Sequence, residues 1–512
     1  MSNLNTNLNM RSQNQSGRFA VEYQPVHLKM DSNFNKGKQK TIKTSGIVKL
    51  IACLTIGFST TFSTQCFAQN PIIQTKYTAD PAPMVYNDTV YLYTSHDEDD
   101  ALGFKMFNWM LYTTSDMVNW TDHGIVAGVK EPYLTFAWAD GHSAWAPQCV
   151  ARNGKFFLYC PTIYKGKMAI GVAVSGSPYG PFTDALGKPL ISRSNPGDYD
   201  PTVFIDDDKQ AYLYWGGNGP CYYAKLNEDM ISISGEINVA TIDFTGTPKE
   251  ASYTEGPWLW KKNNNYYLAW ASRCCPEGIG YAISNSPAGP WKCMGTIMDP
   301  DERSSGNHPG IIEFKGSSYV FGFNYAILKQ TMSKHYERRS ICVGKMGYNN
   351  DGSIQKVPWW DTKSVIQVGT LNPYIRNEAE TIAFSEGLKT ESATEWERNI
   401  SWDKGKKIAD RLFVTNIHNG DYIEVKGVEF SKGVTSVDLK VASLYGGKLE
   451  IHTDKIDGPI LATAIVNTSG EGDIWKTVTA PVRDTKGIHD LYFVFRGEKD
   501  LFNFDWWQFN MK

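Results

Sequence analysis

The sequence predicts an all-β protein, a five-bladed β-propeller followed by a β-sandwich. Three observations carry that expectation. Aromatic residues make up 13% of the 512 residues and glycine is plentiful, a composition suited to strands and turns, and no long stretch keeps its apolar residues at helical spacing. A hairpin recurs five times, as VYNDTVYLYTSH, VARNGKFFLYCPT, FIDDDKQAYLYWGG, LWKKNNNYYLAWAS and IEFKGSSYVFGFNY, with anchors Tyr91, Phe157, Tyr212, Tyr267 and Tyr319 spaced by 66, 55, 55 and 52 residues. After about residue 365 this motif stops, while alternating strands continue.

The first 68 residues stand apart from the fold. A basic run from Lys36 to Lys43 precedes an apolar stretch from Ile47 to Phe58 and the small-residue site Cys66-Phe67-Ala68. That order is a secretory signal with cleavage near Ala68, so an exported protein is expected. The apolar part is short for a membrane span; the competing expectation is a retained anchor. The polar stretch ahead of it suggests translation starting at Met30. The segment 1–68 holds eight Lys/Arg against two Asp/Glu, so its removal takes the formal charge from −3 to −9. An acidic exported chain argues against a nucleic-acid partner.

Residues 69–365 form the expected propeller. Each unit reads as a meander, a hairpin with a turn such as Asn153-Gly154 followed by a third strand. Third strands stand in register at LYTTSDMVNW, IGVAVSGSPYGPF, IGYAISNSPAGPW and SICVGKMGYNNDG. Repeats of multi-strand units at this period signal blades; a sandwich or barrel is the competing architecture. Residues 366–512, with strands such as DYIEVKGVEF, SVDLKVASL and HDLYFVFRG, read as the sandwich.

Eleven or twelve residues before each anchor stand Asp80, Trp145, Asp200, Glu255 and His308, each with a proline one or two places later. The innermost strand of a blade lines the central channel, so these five positions are expected to ring one pocket. Three are carboxylates, which points to acid/base chemistry on a sugar. One protonated carboxyl assists the leaving oxygen, a second carboxylate attacks or activates water, and a third raises the donor's pKa by repulsion.

The propeller segment resembles glycoside hydrolase family 43 through YTADPAPMVYNDTVYLYTSHDE, SAWAPQ, DPTVFIDDDKQAYLYWGG, YTEGPW, EGIGYAISNSPAGPW and NHPGIIEFKG. The resemblance implies a five-bladed propeller and hydrolysis with inversion. It implies Asp80 as general base, Asp200 as the carboxylate that tunes and orients the acid, and Glu255 as general acid, with roughly 6.5–9.5 Å between base and acid to admit water. It also places His308 at the pocket floor and Arg339 against substrate. Trp145 is expected as a sugar platform. Asp206-Asp207-Asp208 is expected to be a solvated turn, and His96 to Asp100 a rim loop without calcium-loop spacing. Cys274 and Cys275 are too tightly linked for an ordinary bridge and are expected to pack at the rim.

Residues 372–512 resemble a family 6 carbohydrate-binding module through RNEAET, HNGDYIEVKGVEF, VASLYGGKLEIHTDKIDGPILAT and GIHDLYFVFRGEKDLFNFDWWQF. This implies a jelly roll with a structural Ca²⁺ held by Glu378, Glu380 and Asp505, and Asn503 as a hydrogen-bonding partner of the sugar. No organic cofactor is expected. Where relatives often carry Gly-Gly-Trp, Glu471-Gly472 leaves the sugar cleft without an aromatic. The pairing of the two domains implies an exported α-L-arabinofuranosidase acting on arabinoxylan or xylan, with a β-xylosidase as the alternative. An endo-acting arabinanase or xylanase is a further alternative. A catalytically silent glycan-binding protein is the reading from a different class; its mark, a missing carboxylate, is absent here.

Overall fold

A computed structural model of the chain describes residues 67–512 apart from 142, 194, 303–306, 333–336, 393–411, 444, 469–473 and 499. The expected signal segment, save Phe67 and Ala68, and the Glu471-Gly472 loop therefore lie outside the described residues.

Five antiparallel meanders follow one another as the blades of a propeller. Their first strands are Thr78–Tyr86, Gln148–Arg152, Thr202–Ile205, Tyr253–Lys262 and Gly310–Phe314. The second strands carry the anchors, and each runs antiparallel to the first: Met84 faces Tyr91, Val150 faces Phe157, and Phe204 faces Tyr212. The hairpins form because short polar turns, several with a left-handed residue such as Asn153, join runs of aromatic and β-branched residues. Side chains such as Trp109, Trp215, Trp270 and Trp291 are buried, filling the space between neighbouring blades. Tyr93 and Tyr214 donate to the carbonyls of Pro178 and Pro287, tying each Ser-Pro-x-Gly-Pro turn to an adjacent sheet.

The first described strand closes the ring. Phe67–Gln69 pairs with Lys363–Ile366, the Ile72 amide donates to the Ile341 carbonyl at 2.9 Å, and the Asn70 amide brackets Val343. These contacts lie along the last blade, so the first and fifth blades are bound by hydrogen bonds as well as by packing.

The C-terminal region is a sandwich of two sheets. One runs Lys389–Ser392, Leu412–Thr415, Asn503–Asn510, Ser436–Ala442 and Trp475–Pro481; the other runs Phe384–Glu386, Tyr422–Phe430, Gly487–Arg496, Gly447–Thr453 and Ile460–Val466. Alternating residues such as Val437, Leu439 and Val441 point into a shared core with Phe493, Phe504 and Trp507.

The sandwich is attached by strand addition. Thr381–Ile382 extends the first blade by pairing with Thr121 and Trp120 on its outer strand. Around this seam Thr390 donates to Asp122 at 2.7 Å, and the Asn119 side chain makes two 2.9 Å hydrogen bonds to the Lys426 backbone. Asp122, Thr390 and Asn119 are all buried, so these bonds satisfy groups that water does not reach.

Candidate active site

The five echoed positions do share one pocket. A cavity of about 290 Å³ at the end of the channel is lined by Asp80, Trp145, Asp200, Glu255 and His308, together with Arg339, Tyr199 and Asn218. The backbone is irregular at the three carboxylate positions, with register shifts in the first and fourth blades and left-handed residues in the first, third and fourth. Asp80 and Asp200 sit before proline at φ +53° and +55°, a left-handed conformation that Asp tolerates better than most residues. In the fourth blade the residue before proline is Gly256 at φ +61°, and the carboxylate comes one place earlier. A Cβ at 256 would lie 2.8 Å from His308 Nδ1. Glycine is thus required there for both conformation and room, and this displaces the acid to Glu255.

Asp80 is held by donors on both oxygens. Arg339 Nη1 donates to Oδ1 at 2.8 Å, and the Ser95 hydroxyl makes a short bond to Oδ2. Arg339 is in turn clamped by Asp97, which accepts from its backbone N–H, Nε and Nη2 at 2.8–3.0 Å. Asp200 accepts from the Gly256 N–H at 3.1 Å, and His308 Nδ1 lies 3.7 Å from the same oxygen. Glu255 accepts from the Tyr199 hydroxyl at 3.3 Å.

Electrostatics separates these groups. Burial, then the charge of Asp80, pushes the Glu255 carboxyl up to about 7 against the opposing Tyr199 hydrogen bond. Burial, then the charges of Glu255 and Asp80, holds Asp200 well above the ordinary carboxylate range. Burial lowers His308, and the nearby Arg339 charge acts in the same direction. Glu255 is therefore suited to carry a proton near neutral pH.

Trp145 is half-buried at the pocket wall, and its indole N–H has no hydrogen-bond partner among the described residues. Exposed Phe104, 5.3 Å from the Arg339 guanidinium, adds an aromatic at the rim. Several features depart from the sequence reading. Asp97 is not a rim residue but a fully buried anchor for Arg339; Asp99 and Asp100 do lie outside, paired with Lys389 and Lys105. Asp206 is buried rather than solvated, because Tyr266 and Lys261 donate to it from the next blade. Cys274 and Cys275 are bonded to each other, a vicinal disulfide, with both residues exposed. Glu277, just beyond them, is buried; burial and the charge of Glu255 raise its carboxyl to about 9. Sequence reasoning misplaced Asp97 at the rim and passed over Tyr199, Asn218 and Glu277. The signal for Tyr199 and Asn218 was available, since they flank Asp200 and the YWGG motif.

In the sandwich, Glu378, Glu380 and Asp505 gather around Arg376, whose guanidinium donates to Glu378 at 2.7 Å and lies 3.5 Å from Asp505. Glu380 is buried, and its Oε2 has no hydrogen-bond partner among the described residues. Burial and the neighbouring acids raise Glu380, and burial raises Asp505 to about 6. Asn503 lines a separate cavity of about 330 Å³ with Tyr445 and Phe502. Tyr445 is 58% exposed, so this cleft has an aromatic face that the sequence reading did not give it.

Residues 68–354 match Glycosyl hydrolases family 43, and residues 378–511 match Carbohydrate binding module (family 6). An arabinoxylan arabinofuranohydrolase of Bacillus subtilis is 32% identical over 91% of this chain and 98% of its own length. One from Paenibacillus polymyxa is 33% identical over 86% of this chain and 74% of its own. The crystal structure of a family 43 arabinoxylan arabinofuranohydrolase from Bacillus subtilis in complex with cellotetraose superposes with a TM-score of 0.74 at 32% identity, covering 86% of this chain and 97% of that one.

Proposed function

The chain belongs to glycosyl hydrolases family 43 and is a glycoside hydrolase, and from that premise we propose that it removes α-L-arabinofuranosyl side chains from arabinoxylan-type hemicellulose with inversion. The observation that carries this reading is the convergence of Asp80, Asp200 and Glu255, from three blades, on one small cavity. Asp80 takes a proton from a water, whose oxygen bonds to the anomeric carbon as the glycosidic C–O bond breaks. Glu255 gives its proton to the departing oxygen. Asp200 lines the same cavity as the carboxyl that tunes and orients the acid in this reading. Arg339 sets the direction of Asp80, and a pocket this small accepts a terminal sugar more readily than the middle of a chain. Specificity for arabinose rests on the two arabinoxylan arabinofuranohydrolases, which match 91% and 86% of this chain.

The sandwich is proposed to hold polysaccharide at the Asn503–Tyr445 cleft, where an exposed ring stacks on a sugar and an amide reads its hydroxyls. Its acid cluster fits a hard cation. Glu380, buried, raised in proton affinity and with an oxygen unpartnered among the described residues, and Asp505, also raised, stand with Glu378 as oxygen donors of the kind Ca²⁺ takes, and Glu378, Glu380 and Asp505 would hold it there as a structural ion. Export is proposed from the signal-like order of the N-terminal sequence; no helix of the described residues is long and apolar enough to cross a membrane. N-terminal sequencing of the secreted protein, with a start near Gln69, checks it.

The deciding experiment compares nitrophenyl α-L-arabinofuranoside with nitrophenyl β-D-xyloside, then follows release from arabinoxylan by NMR. Arabinose released first as the β-anomer supports the proposal. Faster xyloside cleavage would replace it with a β-xylosidase, and retention of configuration would overturn the assigned roles.

A further inference from the structure

Tyr199 stands one residue before Asp200, yet its hydroxyl serves the acid from the next blade. It donates to Glu255 Oε2 at 3.3 Å and accepts from Asn218 Nδ2 at 2.8 Å. The loop geometry is built to seat it. The Gly216 N–H donates to the Tyr199 carbonyl at 2.9 Å, and the Asn218 N–H donates to the Thr254 carbonyl at 3.0 Å, beside Glu255. A Cβ on Gly217 would overlap the Tyr199 ring and hydroxyl, so the second glycine of the YWGG motif exists in this fold as the floor on which that ring lies. Upstream, buried Asp198 fixes the same loop by accepting from Trp215 Nε1 at 3.0 Å and pairing with Arg193.

We infer that Tyr199 is a positioning residue for the proton donor, and that the relay from Asn218 through Tyr199 to Glu255 fixes the carboxyl's orientation and the pH above which catalysis fails. The inference rests on the assignment of Glu255 as general acid. A hydroxyl donating to a carboxylate favours its ionised form, so Tyr199 opposes the effects that keep the proton on. Those come from burial and Asp80 above all, with Glu337 as a further acid and Arg339 acting the other way; Asp200 and Glu277, also close, are themselves raised by the charge of Glu255. His308, beside Gly256, is the remaining titratable neighbour. The tyrosine thus trades some proton affinity for a fixed direction of proton delivery.

The test uses the full chain with Tyr199→Phe, Gly217→Ala and Glu255→Gln, assayed from pH 4 to 9. Two arabinofuranosides serve as substrates, one with a dinitrophenyl leaving group that needs little acid assistance and one with an alkyl leaving group that needs much. For Tyr199→Phe the alkaline limb of kcat/KM is expected to move up by about half a unit to one unit. Its rate on the alkyl substrate should fall about tenfold, with a smaller loss on the dinitrophenyl substrate. Gly217→Ala, which displaces the ring without removing the hydroxyl, should shift the limb the same way. An unmoved limb in Tyr199→Phe, or equal losses on both substrates, overturns the relay. Undiminished activity of Glu255→Gln on the alkyl substrate instead overturns the assignment of the acid, which keeps the two failures distinct.

Discussion

In the propeller, Asp80, Asp200 and Glu255 arrive from three blades and face an open cavity, whereas in the sandwich Glu378 and Asp505 come from two paired strands, Glu380 from the turn that follows, and the group closes on Arg376. Both clusters crowd carboxylates together, and in both burial raises proton affinity, to about 7 at Glu255 and about 6 at Asp505. The difference lies in the donors. The pocket acids accept from Ser95, Arg339, the Gly256 N–H and Tyr199, while Glu380 keeps a buried oxygen without a partner among the described residues. Acids whose oxygens are met by fixed donors are directed for proton transfer. Acids whose oxygens are left unmet are disposed for a cation.

The comparison breaks most visibly at the chemistry. Glu255→Gln and Asp80→Asn should each lower kcat on arabinoxylan by about 10²–10⁴-fold, with circular dichroism and melting unchanged in form. The same exchange at Glu380 should leave nitrophenyl-arabinofuranoside turnover near wild type. A Glu380→Gln variant as inactive as Glu255→Gln would erase the distinction between the clusters.

Next in size is the clamp behind the base. Asp97 meets Arg339 with three hydrogen bonds, so Asp97→Asn leaves the guanidinium to Asp80 alone and frees it to turn. Turnover should fall about 10–100-fold, and removing one partner of a buried pair should cost about 3 kcal/mol in urea unfolding. Loss of stability without loss of activity in the remaining folded protein would make Asp97 a structural residue only.

Calcium tests the other cluster. Chelator should lower the sandwich's melting temperature by a few degrees, in line with the roughly 2.7 kcal/mol contributed by a ligand at a hundredfold its Kd. Added Ca²⁺ should restore it, and Glu380→Gln should remove the response. Turnover of nitrophenyl-arabinofuranoside should not change.

These clusters were unequally legible in the sequence. The repeat exposed the blades and the ring of inward positions, because hairpin period and the proline register are local patterns. It also found Asp80, Asp200 and Glu255, since each sits at a fixed step from its anchor. It misjudged Asp97 and Asp206, because what buries them is a partner 242 or 60 residues away, Arg339 or Tyr266. Acidic runs look solvated until tertiary contacts supply donors. Tyr199 escaped for a similar reason: it serves a carboxyl on the next blade. The offset of Glu255 from the Asp-Pro pattern was visible, but its cause was not, since the close approach of His308 to Gly256 exists only in three dimensions.

The smallest effect concerns Glu277, an acid that belongs to the pocket by charge and accepts from the Asn307 N–H. It is buried, with its carboxyl raised to about 9 by burial and by Glu255, and one oxygen has no partner among the described residues. In the unfolded chain a glutamate releases its proton near pH 4.3. Between that value and about 9 the folded state therefore binds more protons than the unfolded state, and stability falls as pH rises. One such group contributes a slope of at most about 1.4 kcal/mol per pH unit. Glu277→Gln keeps the shape and removes the ionisation, so its melting temperature should decline less than wild type's between pH 6 and 9. A parallel decline in both proteins would mean that Glu277 is solvated and ionised. Its unmet oxygen would then be satisfied by water, and the pocket and the sandwich's acid cluster would differ less than their donors suggest.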